Sequence, residues 1–198
     1  MRNMYLILGM VIGLFSCIAI YAAPADLPET GQISCWDNAG VLVACTGTGQ
    51  DGDLKSGVAW PASRFVVGTG TEADCVTDKL TGLMWLRVVH ITNPDMQNAI
   101  LASKHLTTCG HEDWRLPNIV ELESLVNSQV ASPADYLNAH GFDIATPVDH
   151  PLFWSSTSSP SAPNSAFVVN LQTGNVGFEN KVVTFSNSLY RFSVRGGH

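Results

Sequence analysis

Positive charge is scarce in this chain and nowhere concentrated: 10 Lys and Arg stand against 17 Asp and Glu, a net charge of −7. With no Lys/Arg-rich run, nonspecific binding to nucleic acid or to an anionic membrane is disfavoured. Catalytic signatures are missing as well. No G-x-S-x-G elbow surrounds Ser155, Ser156, Ser158 or Ser159, and the histidines form neither H-x-x-x-H nor H-E-x-x-H. His105 and His111 straddle Cys109 across an expected helix end and read as loop histidines. The absence of C-x-x-C argues against a zinc site. Without a converging nucleophile, base and metal set, the protein is not expected to be an enzyme.

The one long apolar run lies at the start. Arg2 precedes an uncharged stretch, Tyr5 to Ala23, that ends in small residues. It reads as a signal peptide, residues 1–22, cleaved after Ala22, which leaves no membrane span. Leu14-Phe15-Ser16-Cys17 resembles a lipoprotein box, but a bulky Phe two before the Cys is atypical, so lipidation at Cys17 is the less favoured alternative. Losing Arg2 moves the net charge from −7 to −8. An exported acidic protein is expected, in the periplasm, on the cell surface or outside the cell. Four cysteines remain in that oxidising setting, Cys35, Cys45, Cys75 and Cys109. Three pairings are open to them. The local one, Cys35–Cys45 with Cys75–Cys109, is favoured because the first pair brackets the turn Asp37-Asn38-Ala39-Gly40 between two extended runs.

Residues 23–64 are rich in Gly, Thr, Asp and Ala, and are expected to form a small disulfide-closed hairpin followed by an irregular arm. Asp51 and Asp53 flank Gly52 and are calcium candidates, yet the other ligands of an EF-hand loop are missing, so a solvated turn is the plainer expectation. Leu27-Pro28-Glu29-Thr30-Gly31 matches a sortase sorting signal, but such a signal precedes a hydrophobic segment near the C-terminus. A Pro-containing linker is expected there instead.

The main domain is placed at residues 65–198. Strands are expected at Cys75–Asp78 and Leu83–Val89, joined by a turn at Lys79–Gly82. A first helix runs from about Pro94 to His105, with Pro94 in its first turn and Met96, Ile100, Leu101 and Leu106 on or near one face. A second begins after Asn118, whose side chain can cap it while Glu121 reaches back to the cap's own N–H. Its apolar positions are Ile119, Leu122, Leu125 and Val126. Ala131–Pro151, with three prolines, reads as a long loop and so as a candidate functional one. A hairpin, Ala166–Leu171 and Asn175–Glu179, and a last strand, Leu189–Val194, complete an α+β domain of two helices packed on an antiparallel sheet.

Three segments stand in a fixed order: Leu80-Thr81-Gly82-Leu83-Met84-Trp85, Asp113-Trp114-Arg115-Leu116-Pro117-Asn118 and Phe153-Trp154-Ser155-Ser156-Thr157, closed by Phe192 to Gly196. Through them, roughly Val66 to Gly197 resembles the DUF1566 family, the C-terminal domain of the Legionella collagen-like adhesin. The Trp-Arg-Leu-Pro run is also similar to that of the C-type-lectin-like and formylglycine-generating-enzyme-like superfamily, which implies a C-type-lectin-like fold. In that frame Trp85, Trp114 and Trp154 are expected in the core, and Pro117, Asn118 and Glu121 at a helix start. Asp113 and Arg115 are expected to form an ion pair or backbone clamp beside it. The superfamily's oxygenases need a cysteine pair near the C-terminus, whereas the last cysteine here is Cys109. Its calcium-dependent lectins carry Glu-Pro-Asn or Gln-Pro-Asn and Trp-Asn-Asp, and none of these occurs, so no cofactor is expected. The resemblance implies a non-enzymatic recognition or adhesion module that binds a cell-surface or extracellular glycan or protein through its loops. It also implies a trimer and sulfated glycosaminoglycans as ligands, although a charge of −8 weighs against that polyanion. The alternative is a structural subunit of an extracellular or envelope assembly that uses residues 23–64 for subunit contacts. No motif names the ligand-binding residues; a groove between Ala131–Pro151 and Ser155–Asn164 is the first place to look.

Overall fold

The computed structural model describes residues 27–91, 95–144, 152–182 and 189–196. The expected signal peptide, residues 1–22, and Cys17 lie outside the described residues, as do Pro94 and the end of the expected 131–151 loop.

Cys35–Cys45 is bonded, closing the hairpin β1 (Cys35–Trp36) and β2 (Leu42–Val43). Its turn is set by Asp37, whose Oδ1 accepts the N–H groups of Ala39 and Val41, both at 2.9 Å. Beneath it the one-turn helix α1 (Asp51–Leu54) brings Gly52 against the disulfide. A Cβ there would lie 2.8 Å from the Ser34 carbonyl and 3.0 Å from Cys35 Sγ, so only glycine fits. This unit is fastened to the main domain. Gln129 Oε1 accepts the N–H groups of Ile33 (2.7 Å) and Ser34 (3.0 Å), and its amide donates to Ser34 Oγ. Leu27–Gly31 is not a free linker. Val58 N–H donates to Leu27 O (2.7 Å), Glu29 N–H to Val58 O (3.0 Å), and Trp60 Nε1 to Glu29 O (2.7 Å).

The main domain has two sheets. β3 (Phe65–Val67), β4 (Cys75–Asp78), β5 (Met84–Leu86) and β11 (Val194–Arg195) form an antiparallel sheet in the order β11-β5-β4-β3. β6 (His90–Ile91), β7 (Leu152–Ser159), β8 (Ala162–Asn170), β9 (Val176–Asn180) and β10 (Leu189–Arg191) form the second, in the order β6-β10-β7-β8-β9. The expectation of an antiparallel sheet is corrected here, because β10 runs parallel to β7, with Leu189 opposite Leu152 and Tyr190 opposite Phe153. Nor is Leu189–Val194 one strand. Phe192 and Ser193 interrupt it and carry the chain from one sheet to the other. The reason is the Phe192 ring, which is fully buried, stacks on Phe153 (centroids 4.9 Å apart) and meets Trp85 and Phe142 edge-on at 5.8 and 5.7 Å. Such aromatic pairs add to the burial term. This cluster, with Val76, Leu122, Leu125, Leu137 and Tyr190, is the main core.

Helix α2 (Met96–Lys104) begins after Asp95, whose carboxylate accepts Gln97 N–H at 2.7 Å. It lays Met96 and Ala99 on Trp154, Leu116, Val168 and Leu189, a second core cluster. Leu101, expected on the apolar face, is instead 41% exposed. Helix α3 (Ile119–Glu123) is shorter than the apolar pattern suggested. After it, tighter turns carry Leu125 and Val126 onward, with Leu125 N–H on Leu122 O and Val126 N–H on Glu123 O. Leu122 and Leu125 are nonetheless fully buried. The segment expected as one long loop contains a further helix, α4 (Pro133–Ala139). Ser132 caps it by accepting Asp135 N–H at 3.2 Å, Pro133 occupies its first turn, and Ala134 and Leu137 enter the core. The architecture is thus mixed α+β, mostly sheet, with two disulfides and more helices than the two expected.

Candidate functional site

The three recurrent segments converge, and their contacts are structural. Asp113 and Arg115 form ion pairs beside the helix start, but each with another residue and not with each other. Asp113 binds Arg195 (2.7 and 3.2 Å), which holds its carboxyl below the usual carboxylate range. Arg115 forms a two-pronged pair with Glu121 (2.8 and 2.6 Å), which raises the guanidinium's already high pKa, and also donates to Gly196 O at 3.0 Å. The Arg115 backbone exchanges two 2.9 Å bonds with Val194. The capping box forms as expected: Asn118 Oδ1 accepts Glu121 N–H at 2.9 Å, and Asn118 N–H donates to Glu121 Oε2 at 2.8 Å.

The serine-rich run docks onto the same point. Ser156 N–H donates to Pro117 O (2.7 Å), Ile119 N–H to Thr157 Oγ1 (3.1 Å), and Ser155 Oγ to Phe167 O (2.8 Å). These residues sit inside β7, where its register against β8 shifts between Trp154 and Ser158. Trp85 and Trp154 are fully buried and Trp114 nearly so, which withholds all three from ligand stacking. Trp114 packs on Cys75–Cys109, the second bonded disulfide, and donates to Thr108 O at 3.2 Å.

Asp51 and Asp53 are both engaged within the chain. Thr30 Oγ1 donates to Asp51, and Gly49 N–H to Asp53 at 3.1 Å. Among the described residues no group of three or more His, Cys, Asp or Glu stands close enough together to hold a metal. Sequence reasoning missed a buried polar chain: Arg191 Nη1 donates to Ser193 Oγ (2.8 Å), which donates to Ser103 Oγ of α2 (2.9 Å). Burial lowers the Arg191 pKa, and burial together with Arg191 lowers that of His90, its cross-strand partner.

Two open grooves among the described residues lie beside these segments. In the first, of about 370 Å³, Asp95, Met96, Gln97 and Ile100 of α2 face Ser156 and Ser158 of β7, with Lys181 and Val182 at the rim. Both serines are exposed, and Lys181 is steadied by donating to Pro163 O at 2.8 Å. The Ser155–Asn164 segment therefore opens beside α2. The described part of 131–151 belongs to the other core cluster through α4, which is tied to the turn after β8 by Ala134 N–H on Leu171 O at 2.8 Å. The second groove, of about 360 Å³, runs between Leu27–Thr30, Trp60, Val120 and Gly174. A strand residue such as Ser156 carries no sequence mark of a groove. Among the described residues no helix is long and apolar enough to cross a membrane.

Comparison with known families matches residues 74–195, well over half of the chain, to the Lcl C-terminal domain. A search of curated proteins finds no match.

Proposed function

Because this chain belongs to the Lcl C-terminal domain family, we propose that it is an exported, non-enzymatic adhesion module that binds a glycan through the groove between α2 and β7. The observation that carries this reading is the lining. Exposed hydroxyls of Ser156 and Ser158, the Gln97 amide and the Asp95 carboxylate stand beside the apolar Met96, Ile100 and Val182. Hydroxyls, amides and carboxylates match sugar hydroxyls, and an apolar floor matches the C–H face of a sugar ring. The volume is within the range of small-molecule sites. The scaffold beneath is rigid, since Ser156 N–H is bonded to Pro117 O and Trp154 is wholly buried. Both disulfides suit an exported protein.

The test is a glycan array followed by titration of a hit against Gln97→Ala and Ser158→Ala. Each should weaken binding at least tenfold while leaving the melting temperature unchanged. An array blank at high protein concentration removes the sugar reading, and full binding by both variants removes this groove. The structural-subunit alternative has less support, because exchange of residues 27–64 between subunits would first break the bonds that Gln129 makes to Ile33 and Ser34 and Ser128 to Thr30 within one chain.

A further inference from the structure

A smaller groove, of about 290 Å³, lies where β8 begins and β9 ends, and it shares Lys181 and Val182 with the groove between α2 and β7. By itself it stands at the foot of the size range of small-molecule sites, so it counts as an extension of its neighbour. The ridge between the two is fixed on three sides. Lys181 N–H donates to Asn164 O (2.8 Å), Lys181 O accepts Met96 N–H (2.9 Å), and Lys181 Nζ donates to Pro163 O (2.8 Å). An ammonium has three N–H groups, so two are left for whatever lies across the ridge. Beyond it stand two exposed amides side by side. Asn164 Nδ2 donates to Asn180 Oδ1 at 3.2 Å, and the buried Ser165 hydroxyl donates to the same oxygen at 3.4 Å. Those bonds set the orientation of the pair and leave over Asn164 Oδ1, an acceptor, and Asn180 Nδ2, a donor, which bond to no described residue.

We infer that this groove is a second sugar subsite, and that the two grooves together hold a neutral glycan of at least two units whose second unit carries a free vicinal diol. The inference rests on the glycan reading of the α2–β7 groove. Each hydroxyl of a diol can donate and accept, so one donates to Asn164 Oδ1 while its neighbour accepts from Asn180 Nδ2. A sulfated or otherwise capped diol lacks that hydroxyl proton. Charge points the same way. The joined cleft holds the Asp95 carboxylate as well as Lys181, and the chain as a whole is acidic, so a polyanion gains little here while an uncharged sugar meets no repulsion. Val182, 66% exposed and common to both grooves, offers an apolar surface to the C–H face of a ring at the junction.

Titrations followed by NMR test the inference, with cellobiose, maltose and lactose set against the methyl glycosides of glucose and galactose. At least one disaccharide should bind about tenfold more tightly than either methyl glycoside, the size of two hydrogen bonds of ordinary net worth. Asn164→Ala and Asn180→Ala should each bring that disaccharide down toward the methyl glycosides, leave the methyl glycosides unaffected and keep the melting temperature, because both side chains are exposed. Gln97→Ala, in the first groove, should weaken both sizes of sugar alike. Disaccharides that bind no better than the methyl glycosides, or that bind both asparagine variants as they bind the wild type, overturn the second subsite, while a loss in Gln97→Ala keeps the first. A heparin disaccharide that binds more tightly than all three neutral ones overturns the neutral assignment. No binding of any of the five sugars overturns the proposal too, and leaves the first groove to be judged by the array.

Discussion

Asp78→Ala probes the joint between the N-terminal unit and the main domain. Asp78 is fully buried and accepts four hydrogen bonds: Arg64 Nε (2.9 Å) and Nη2 (2.8 Å), Leu80 N–H (3.0 Å) and Thr81 Oγ1 (2.9 Å). Arg64 in turn donates to Ser124 O at 2.7 Å and lies over the rings of Trp60 and Phe65, 4.3 and 4.6 Å from their centres. Its side chain is 2% exposed. Removing the carboxylate leaves a guanidinium sealed from water, with one carbonyl and two ring faces for company. Breaking such a pair costs about 3–5 kcal/mol, a large share of the roughly 5–15 kcal/mol that holds a domain together. At about 2–4 °C per kcal/mol for a chain of this size, the melting temperature should fall by roughly 6–20 °C. The assay is urea and thermal unfolding with the disulfides intact. Removing both charges, as Arg64→Met with Asp78→Leu, should cost less than the two single changes together by about 2 kcal/mol. A loss below about 1 kcal/mol for Asp78→Ala, or additive singles, would refute the reasoning.

Replacing both cysteines of a bridge by serine should cost about 4 kcal/mol for Cys75–Cys109, which closes 34 residues, and about 3 kcal/mol for Cys35–Cys45, which closes 10; denaturant midpoints with unchanged slope would check the ranking. Glu121→Ala removes one side of the capping box and both prongs on Arg115. With that pair partly exposed, about 1–2 kcal/mol is expected, read by chemical denaturation. His90 takes up a proton less readily in the folded protein than its ordinary value near pH 6.5 allows, because of burial first and Arg191 second. The unfolded chain therefore binds that proton first, and stability falls as pH drops below about 7 until folded His90 is itself protonated. His90→Gln should flatten the stability profile between pH 7 and 5, and an unaltered slope would remove His90 as its source.

Local chemistry was the legible part of the sequence. Asn118 and Glu121 announced a helix start because a capping box is set by neighbours three residues apart, and Cys35 with Cys45 announced a hairpin because they bracket a turn. The α4 start was equally local, since Ser132-Pro133 followed by Asp135 is a cap with a proline in the first turn, but the surrounding prolines masked it as loop. Long-range choices left no mark. Nothing around Leu189 says that it will lie parallel to Leu152, and nothing in Asp113-Trp114-Arg115 says that the two charges will turn to Arg195 and Glu121. The candidate groove was half visible. Ser156 and Ser158 lay in the expected segment, but their facing partner, α2, is set by how β7 stacks on that helix.

The passage through Phe192 and Ser193 sets the order in which the chain can fold. Residues 189–191 slot between β6 and β7, and residues 194–195 close the other sheet against β5 while bonding Arg115. Until those last few residues are in place, one sheet has a gap beside its β7 strand, the other lacks its closing edge, and Phe153 has no ring to stack on. These contacts span more than a hundred residues of chain for the β5–β11 pair, so the domain is a slow, late closer and not one that forms piece by piece.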